Sequence, residues 1–486
     1  MDLVFVLNRH IFSLEIAINL AVLRSHGYKC GILFEDVEKG GLVKKVNKLN
    51  PTMVGSYTDT FSLFNKDMSQ NLAILEKIKK ERPETITFLS GIHSTIYRDI
   101  LKKYPFLDIA FLGDIETSIS CVLERLSKHG NDLRNIRGIN YRNGNECFYN
   151  GPAPLTDLNK LPFPDIDSFY KHKGAFRHGY RINVARGCPN RCTFCFQHKY
   201  SESTNANDSI MPRYYPVKFL IDVMMYLKSK DKTINLFYFT YVTFTHSKKF
   251  LREFLPKYKK LIKIPYVCAT RYDKVDEEVA DLLKESGCSK VSLAIESGVS
   301  RLRNDVLKKN LSDEDIYKGA KILKKKGLRL GCGILVGFPE EKIDDALASL
   351  EMAVKIKADF LSISLFKPIP NLDLTNLAYV NNYLHDTDEV KEFDWERSQL
   401  NIKDKHQFEN VNFLSHLYLL FPNKTLFRII IKLPNNRFFF LLKMTPRIIA
   451  VLRYDMCNRS KMKKIRYVIY AVYSSLIRQQ RPDLVI

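Results

Sequence analysis

The stretch Arg186-Gly187-Cys188-Pro189-Asn190-Arg191-Cys192-Thr193-Phe194-Cys195 contains three cysteines in the spacing CxxxCxxC. It directly follows segment 181–185 (RINVA), which we predict to be a strand. Three thiolates on one short loop can bind three of the four irons of a [4Fe-4S] cluster. No fourth cysteine lies nearby in the sequence. The fourth iron would therefore stay open for a substrate or cofactor, as in catalytic metal sites generally.

A structural zinc site is the alternative for the same loop. His198 lies three residues beyond Cys195, so a Cys3His zinc site is open as well. Zinc sites usually use paired CxxC units or CxxC with histidines. Because the cysteines follow a predicted strand at this spacing, we expect Cys188, Cys192 and Cys195 to bind an iron–sulfur cluster rather than zinc.

Strands and helices alternate after the cysteine loop, from about residue 181 to residue 366. Six βα units predict a partial TIM-type barrel, whose active site lies at the carboxyl ends of its strands. The predicted strands are Arg181–Ala185, Leu236–Phe239, Tyr266–Ala269, Lys290–Ile295, Leu330–Val336 and Phe360–Leu365.

An earlier region alternates in the same way and predicts a doubly wound, Rossmann-like parallel sheet. Proline-rich and asparagine-rich sequence then predicts a hairpin and a linker. We therefore predict an α/β protein in four parts. The parts are a Rossmann-like domain at 1–140, a hairpin and linker at 141–175, a partial (β/α)6 barrel at 176–372, and a basic, mostly α-helical region at 373–486.

The composition is that of a globular protein, with 45% hydrophobic and 27% charged residues among 486, which excludes a fibrous or largely disordered chain. Ten cysteines are too sparse for a disulfide scaffold. The opening MDLVFVLNRH does not resemble a signal peptide, and no run of about 18 uncharged apolar residues predicts a spanning helix. We expect a cytoplasmic location.

The formal net charge of +23 is concentrated near the C-terminus, where residues 421–481 contribute more than half of it. Basic residues there alternate with apolar triplets, as in residues 437–443, RFFFLLK. Two interpretations stay open: a helical cap with solvated basic side chains, or a peripheral membrane surface that would favour a lipid substrate. No recognised nucleic-acid-binding module is present, so we expect no nucleic-acid partner.

The cysteine loop resembles that of the radical S-adenosylmethionine (SAM) enzymes, and four further motifs extend the resemblance. They are residues 270–273 (TRYD, like "TRxD"), 294–298 (AIESG, like "GxESG"), 307–309 (LKK, like "LxK") and 337–341 (GFPEE, like "GxPGE"). The resemblance implies that the three cysteines bind the cluster and that SAM chelates the open iron. Reduction would then cleave SAM to a 5′-deoxyadenosyl radical. It also implies Arg271 and Glu296 as SAM contacts.

One motif of that family is altered in this chain. Its members usually carry "FxDDxFT" after the second barrel strand, whereas residues 239–245 read FTYVTFT, without the two acids. The change concerns how the SAM amino group is held or how the substrate is placed. Tyr241, Thr243 and Tyr272 lie at the predicted mouth of the barrel and are our candidates for substrate contact.

The first domain resembles the cobalamin-binding domain that precedes the radical SAM domain in one large subclass. The matching stretches are residues 90–95 (SGIHST), 111–117 (FLGDIET), 136–142 (IRGINYR) and 157–164 (DLNKLPFP). The resemblance implies a cobalamin site at the strand ends. Its expected residues are Ser56, Thr58, Ser90, Gly91, His93 and Gly113. No histidine of this domain stands in a DxHxxG motif, so we do not expect cobalt to be ligated through that motif.

The sequence thus predicts a cobalamin-dependent radical SAM enzyme of the methyltransferase type. It would methylate an unactivated carbon of a small-molecule or lipid substrate and take electrons from a donor such as flavodoxin or ferredoxin. Two alternatives stay open. One is a non-methylating rearrangement or cyclisation with cobalamin as an electron carrier. The other is a non-catalytic corrinoid-binding or cluster-binding sensor, which the missing acid pair would favour.

Overall fold

The computed structural model describes residues 1–38, 41–58, 67–128, 130, 132–170, 180–204, 211–239, 243–384 and 397–434. The chain divides into two compact units. The first comprises Met1–Ile264 and Ile369–Thr375, and the second comprises Pro265–Pro368 together with most of the chain after residue 375. The four-part division is predicted from sequence motifs, whereas the two units are defined by the compactness of the fold. The four-part division therefore stays a prediction.

The strands are numbered in chain order. They are β1 (Leu3–Leu7), β2 (Cys30–Phe34), β3 (Met53–Thr58), β4 (Ile86–Gly91), β5 (Ile109–Phe111), β6 (Ile139–Asn143), β7 (Glu146–Tyr149), β8 (Tyr180–Arg181), β9 (Ala185–Arg186), β10 (Arg213–Tyr214), β11 (Phe237–Phe239), β12 (Tyr266–Thr270), β13 (Cys288–Glu296), β14 (Leu330–Val336) and β15 (Phe360–Leu365).

The α-helices are numbered in the same way. They are α1 (Leu14–Ser25), α2 (Leu42–Leu49), α3 (Asp67–Glu81), α4 (Ile92–Ile96), α5 (Ile100–Lys103), α6 (Glu116–Lys128), α7 (Asp167–Tyr170), α8 (Phe196–Ser203), α9 (Val217–Lys230), α10 (Lys248–Leu261), α11 (Glu277–Glu285), α12 (Asp313–Lys325), α13 (Ile343–Lys355), α14 (Asp373–Val380), α15 (Lys405–Leu420) and α16 (Lys424–Ile430).

A seven-stranded sheet in the order β2-β1-β3-β4-β5-β6-β7 organises the first unit. Its first five strands are parallel, as predicted. Strand β1 (LVFVL) is buried along its whole length because helices cover both faces of such a sheet. The predicted hairpin is present as β6 and β7, and it extends this sheet by antiparallel pairing with β5.

The hydrophobic core beside this sheet draws on distant parts of the chain. Val4 and Leu72 pack there with Phe196, which follows the cysteine loop. Ile369 and Leu372 belong to the same core, although they follow the last barrel strand in sequence. Segment 369–375 is therefore an integral part of the first unit.

The predicted single strand over residues 181–185 is wrong. The segment forms two short strands because its hydrogen bonds change partners. The Ile182 N–H donates to the Tyr238 carbonyl at 3.0 Å, whereas the Val184 carbonyl accepts from Tyr215 at 3.1 Å. Strand β8 accordingly pairs with β11 in parallel, and β9 pairs with β10 antiparallel.

The second unit contains the parallel strands β12, β13, β14 and β15 in that order. Helices α11, α12 and α13 connect them, and α15 packs along β15. Together with β8 and β11, these are the six parallel strands of the predicted partial barrel. The α/β class and the half-barrel are thus confirmed.

Within the described part of the chain, no helix is long and apolar enough to cross a membrane. The basic and apolar stretch 437–443 lies outside the described residues. The predicted membrane surface therefore stays a prediction.

Candidate functional site

The cysteine loop leaves β9 and ends at the first turn of α8. Gly187 has a φ of +79°, and a Cβ atom there would lie 2.1 Å from the Met211 Sδ, so this position requires glycine. Cys195 is the N-cap residue of α8, and its N–H donates to the Cys192 carbonyl at 3.1 Å. Cys192 is buried, whereas Cys188 and Cys195 are partly exposed, and none of the three forms a disulfide.

This donor set suits an iron–sulfur cluster, because three cysteines that form no disulfide lie on one loop. Within the described residues, no three His, Cys, Asp or Glu side chains are already grouped to hold a metal ion. The three thiols must therefore turn toward a common point to bind a cluster. The possible zinc ligand His198 instead has its Nε2 3.1 Å from a Glu202 carboxylate oxygen, one helical turn away.

A cavity lies within the first unit, between the carboxyl ends of its parallel strands and the start of the cysteine loop. Ligands bind at this position in doubly wound folds. The cavity is lined by Glu15, Asn19, Tyr57, Ile92, Gly113, Asp114, Ile115, Glu116, Asn183, Ala185, Arg186, Gly187, Gln197 and Tyr200.

Two asparagines in this wall leave hydrogen-bond acceptors unused. The Asn19 and Asn183 side-chain oxygens are buried and have no hydrogen-bond partner among the described residues. Their amide nitrogens are already engaged by Glu15, one by its carbonyl at 2.9 Å and the other by its carboxylate at 2.6 Å. Buried acceptors are normally satisfied. The two oxygens therefore keep unused hydrogen-bonding capacity in this structure.

A buried ion network forms the opposite part of the wall. Arg186 donates to Asp114 at 3.0 Å and to Glu116 at 2.6 Å, and Arg213 donates to the second Asp114 oxygen at 2.7 Å. The Thr156 N–H donates to Asp114 at 3.1 Å, and the Thr156 hydroxyl donates to Glu116 at 3.0 Å. The network joins the turn after β5 to Arg186, the last residue of β9, after which the cysteine loop begins.

The network fixes the charge of its members. Burial by itself raises the pKa of Asp114, but Arg186 and Arg213 outweigh it and hold this pKa below the ordinary value. Burial likewise opposes the charge of Arg186, whereas Glu116, Tyr215 and Asp114 raise its pKa well above the ordinary value. Asp114 and Arg186 are therefore charged around neutral pH.

The predicted cobalamin residues lie in two different environments. Gly113 lines the cavity, with a φ of +68°, and a Cβ atom there would lie 2.7 Å from the Thr204 Cγ2. The hydroxyls of Thr58 and Ser90 are used inside the sheet, where each donates across the strands to a carbonyl at 3.0 Å. Ser56 is fully buried on the same strand as Thr58.

Gly91 and His93 follow β4. Gly91 has a φ of +99°, and a Cβ atom there would lie 2.2 Å from the Thr58 carbonyl oxygen, so the strand packing requires glycine. His93 is 5% exposed, and its Nε2 has no hydrogen-bond partner in the described chain. Burial, with a smaller contribution from Lys103, lowers its pKa to about 4. No residue in the cavity lining is a histidine.

In the second unit, Arg271 and Glu296 converge on Lys309. The Lys309 ammonium donates to Glu296 at 2.8 Å, and Arg271 donates to the Lys309 carbonyl at 2.8 Å. Arg271 also pairs with Asp273 at 2.9 Å. Glu296 has a φ of +62°, at a register shift between β13 and β14. These residues belong to the strand ends and loops that match the SAM-contact motifs.

The three candidate substrate-contact residues differ in their burial and in whether the structure describes them. Tyr272 is buried, and burial and the nearby Cys332 thiol raise its pKa well above the ordinary value. Thr243 is 8% exposed, and its carbonyl accepts from His246. Tyr241 lies outside the described residues. All three stay predictions.

Sequence reasoning did not select the residues of the ion network. The sequence does show two acids, Asp114 and Glu116, shortly after Gly113. It also shows an arginine, Arg186, two residues before Cys188. Asn19 and Asn183 gave no signal, because single asparagines in a helix and a loop are common.

Comparison with known proteins finds a family match for the part of the chain that contains the cysteine loop and the SAM-motif residues. Residues 182–353 match the family model of the radical SAM superfamily. The chain is 26% identical over 360 residues to the uncharacterized methyltransferase PH0819 of Pyrococcus horikoshii, covering 72% of this chain and 74% of that one. It is 24% identical over 372 residues to cytidylyl-2-hydroxyethylphosphonate methyltransferase of Streptomyces wedmorensis, covering 68% and 66%.

Solved structures share the fold of nearly the whole chain. The methyltransferase TsrM from Kitasatospora setae, solved with cobalamin and a [4Fe-4S] cluster, aligns with a TM-score of 0.62 at 17% identity, covering 79% of this chain and 76% of that one. The cobalamin-dependent SAM radical enzyme OxsB aligns with a TM-score of 0.66 at 15% identity, covering 99% and 75%. Residues 182–353 of this chain therefore form a radical SAM domain.

Proposed function

We propose that the protein is a cobalamin-dependent radical SAM methyltransferase that modifies an unactivated carbon. The observation that carries the proposal is the cavity of the first unit, whose wall includes Gly187, the residue next to Cys188. A ligand in that cavity would lie beside the start of the cysteine loop. The relatives named methyltransferases and the solved structures with bound cobalamin support the same assignment.

Cys188, Cys192 and Cys195 would hold the cluster, and Arg271, Glu296 and Lys309 would form the SAM side. The chemistry supplied when the groups are bound is reductive SAM cleavage and methyl transfer. Lys309 orients the Glu296 carboxylate through their 2.8 Å contact. Arg271 fixes the Lys309 loop by donating to its backbone, so this arginine acts by positioning.

The cavity wall would hold cobalamin through its amide side chains. Asn19 and Asn183 supply two buried acceptors, and corrin amides carry the N–H donors that acceptors need. The ion network gives this wall a fixed shape, because each of its charges is paired. These side chains would thereby hold and orient the corrin.

Electrons would come from an acidic transfer protein such as flavodoxin or ferredoxin. The net charge of +23 favours encounter with an acidic partner. The substrate would be a small molecule or a lipid.

The test is anaerobic reconstitution of the full chain with iron, sulfide and hydroxocobalamin, followed by metal analysis and assay of 5′-deoxyadenosine under a strong reductant. We expect about four irons and one cobalt per chain, with 5′-deoxyadenosine formed from SAM. Iron and product without cobalt would remove cobalamin from the proposal. Zinc without iron would overturn the whole assignment.

Single substitutions test which residues bind the cluster and which bind cobalamin. Cys188→Ala, Cys192→Ala and Cys195→Ala should each abolish product formation, whereas Cys121→Ala, at an exposed free cysteine, should not. Asn19→Ala and Asn183→Ala should each weaken cobalamin binding about fivefold, the value of one neutral hydrogen bond. The exposed Asn159→Ala is their control.

A non-methylating cyclase is the second candidate. It is favoured by 24% identity over 390 residues to the anaerobic magnesium-protoporphyrin IX monomethyl ester cyclase of Rubrivivax gelatinosus, covering 77% of this chain and 66% of that one. Labelled methyl groups from SAM distinguish the two, because only a methyltransferase incorporates them into a product.

A further inference from the structure

The four-stranded sheet of the second unit has one packed face and one open face. Val291, Leu293 and Ile295 of β13 are buried on the face that carries the connecting helices. The residues between them point to the other side, which we call the inner face. Its small and partly exposed side chains are Ala269, Ser292, Ala294, Gly333, Ser362 and Ser364.

One long cationic side chain, Lys290, lies on this inner face. Its Cδ and Cε lie 3.6 Å from the position that a Cβ atom of Gly331 would occupy, so the side chain crosses β14 where glycine leaves room. Gly331 pairs in register with Phe360, and the Lys290 ammonium ends 4.6 Å from the centre of that ring. The lysine thus spans from β13 to β15 across the inner face.

The Lys290 ammonium has no counter-ion among the described residues. The residue is 9% exposed, and its ammonium forms no hydrogen bond or ion pair with the described chain but lies over the Phe360 ring. Burial lowers its pKa to about 8, and the neighbouring Cys288 thiol acts in the opposite direction. The carboxylate of Asp359, the residue before Phe360, is paired with Lys324 at 2.8 Å.

A buried cation without a partner is costly, and methionine would fill the same space without that penalty. An anion brought into the same low-dielectric surroundings gains a strong Coulomb attraction and hydrogen bonds from the ammonium. We propose that Lys290 is the binding site for an anionic group, carboxylate or phosphate, of the substrate that occupies the inner face of the half-barrel. This inference rests on the proposed function.

The position of Lys290 also limits the shape of the substrate. It lies near the start of β13, six residues before Glu296, which corresponds to about 20 Å along a strand. A substrate anchored there by its acidic group must be elongated for its other end to reach the SAM-motif residues at the strand ends. The substrate class is therefore an extended organic acid or phosphate ester.

The test measures anion binding at Lys290 itself, in the full chain. Lysines are labelled by ¹³C reductive dimethylation, which keeps their charge, and the Lys290 signal is assigned by its absence in Lys290→Met. Acetate and inorganic phosphate are titrated separately, with sodium chloride at matched ionic strength as the screening control. Lys355→Met, at an exposed lysine of α13, is the matched variant.

We expect a saturable shift of the Lys290 signal and a rise of its pKa by about one unit or more toward the ordinary lysine value. Saturation by acetate identifies a carboxylate site, and saturation by phosphate alone identifies a phosphate site. No saturable shift, or the same shift with chloride, overturns the proposal. The readout does not require SAM cleavage, so its failure and that of the proposed function are separately visible.

Discussion

Arg186 and Glu116 form a hydrogen-bonded ion pair of 2.6 Å that connects the residue before Gly187 to the first turn of helix α6. The other terminal nitrogen of the same guanidinium contacts Asp114 at 3.0 Å. Because all three side chains also belong to the cavity wall, the start of the cysteine loop and the wall cannot change shape independently.

Replacing Arg186 by methionine should destabilise the protein strongly. The substitution leaves two buried carboxylates with one cation, Arg213, and breaking a buried pair in this way costs about 3–5 kcal/mol. Denaturant unfolding of the two proteins measures the difference. Arg134→Met is the control, since Arg134 and its partner Asp132 are largely exposed; an equal effect in both variants would contradict the role of the network.

His93 should make stability pH-dependent below neutrality. Its pKa is about 4 in the folded protein against 6.5 ordinarily. Between these two pH values, His93 is protonated in the unfolded chain but not in the folded one. Its contribution to the free energy of unfolding is therefore complete above pH 6.5 and is lost as the pH falls toward 4. The loss should reach about 3 kcal/mol.

His93→Gln should remove this part of the pH dependence, as measured by unfolding free energies between pH 7 and pH 4. His26→Gln, at an exposed histidine, should keep the slope of the unsubstituted protein. An unchanged slope in His93→Gln would show that His93 is not the responsible group.

Gly113→Ala should reduce cobalamin retention, because Gly113 lines the cavity and the new Cβ would lie 2.7 Å from the Thr204 Cγ2. Gly130→Ala provides a matched control. Gly130 has nearly the same φ, +71° against +68°, but open space around it. Both variants bear the strain of a left-handed residue, about 1–2 kcal/mol, so only Gly113→Ala should lower the cobalt content after reconstitution.

Lys309→Met should raise the Kd for SAM at least about tenfold, since it frees the Glu296 carboxylate from its orienting contact and loss of a charged hydrogen bond is worth about 1.5–3 kcal/mol. Equilibrium binding of SAM to the reconstituted protein gives the value. The adjacent Lys308→Met should bind SAM normally, because Lys308 is exposed. Equal affinities in the two variants would count against a role of Lys309.

Local patterns predicted the parts of the fold that local forces determine. Local sequence accounts for β1 and α1, since a continuous apolar run forms the strand and Ser13 caps the helix by accepting from the Ile16 N–H. The cysteine loop was likewise predictable, because its ligands lie within eight residues.

Contacts between distant residues were not predictable in this way. Arg186 and Glu116 are 70 residues apart, and no local sequence pattern around either residue identifies the other as its partner. Nor does the sequence reveal that the hydroxyls of Thr58 and Ser90 donate to carbonyls inside the sheet. The same limit explains the error at residues 181–185, where a segment without a turn signal changes its hydrogen-bond partners.

Ile369 and Leu372 pack in the core of the seven-stranded sheet, although they are encoded after the last barrel strand. During synthesis the ribosome must therefore complete all of β12 to β15 before the first core is whole. A nascent chain released earlier would leave that core without two of its buried side chains. Only a nascent chain that extends past segment 369–375 can therefore complete the core of the seven-stranded sheet.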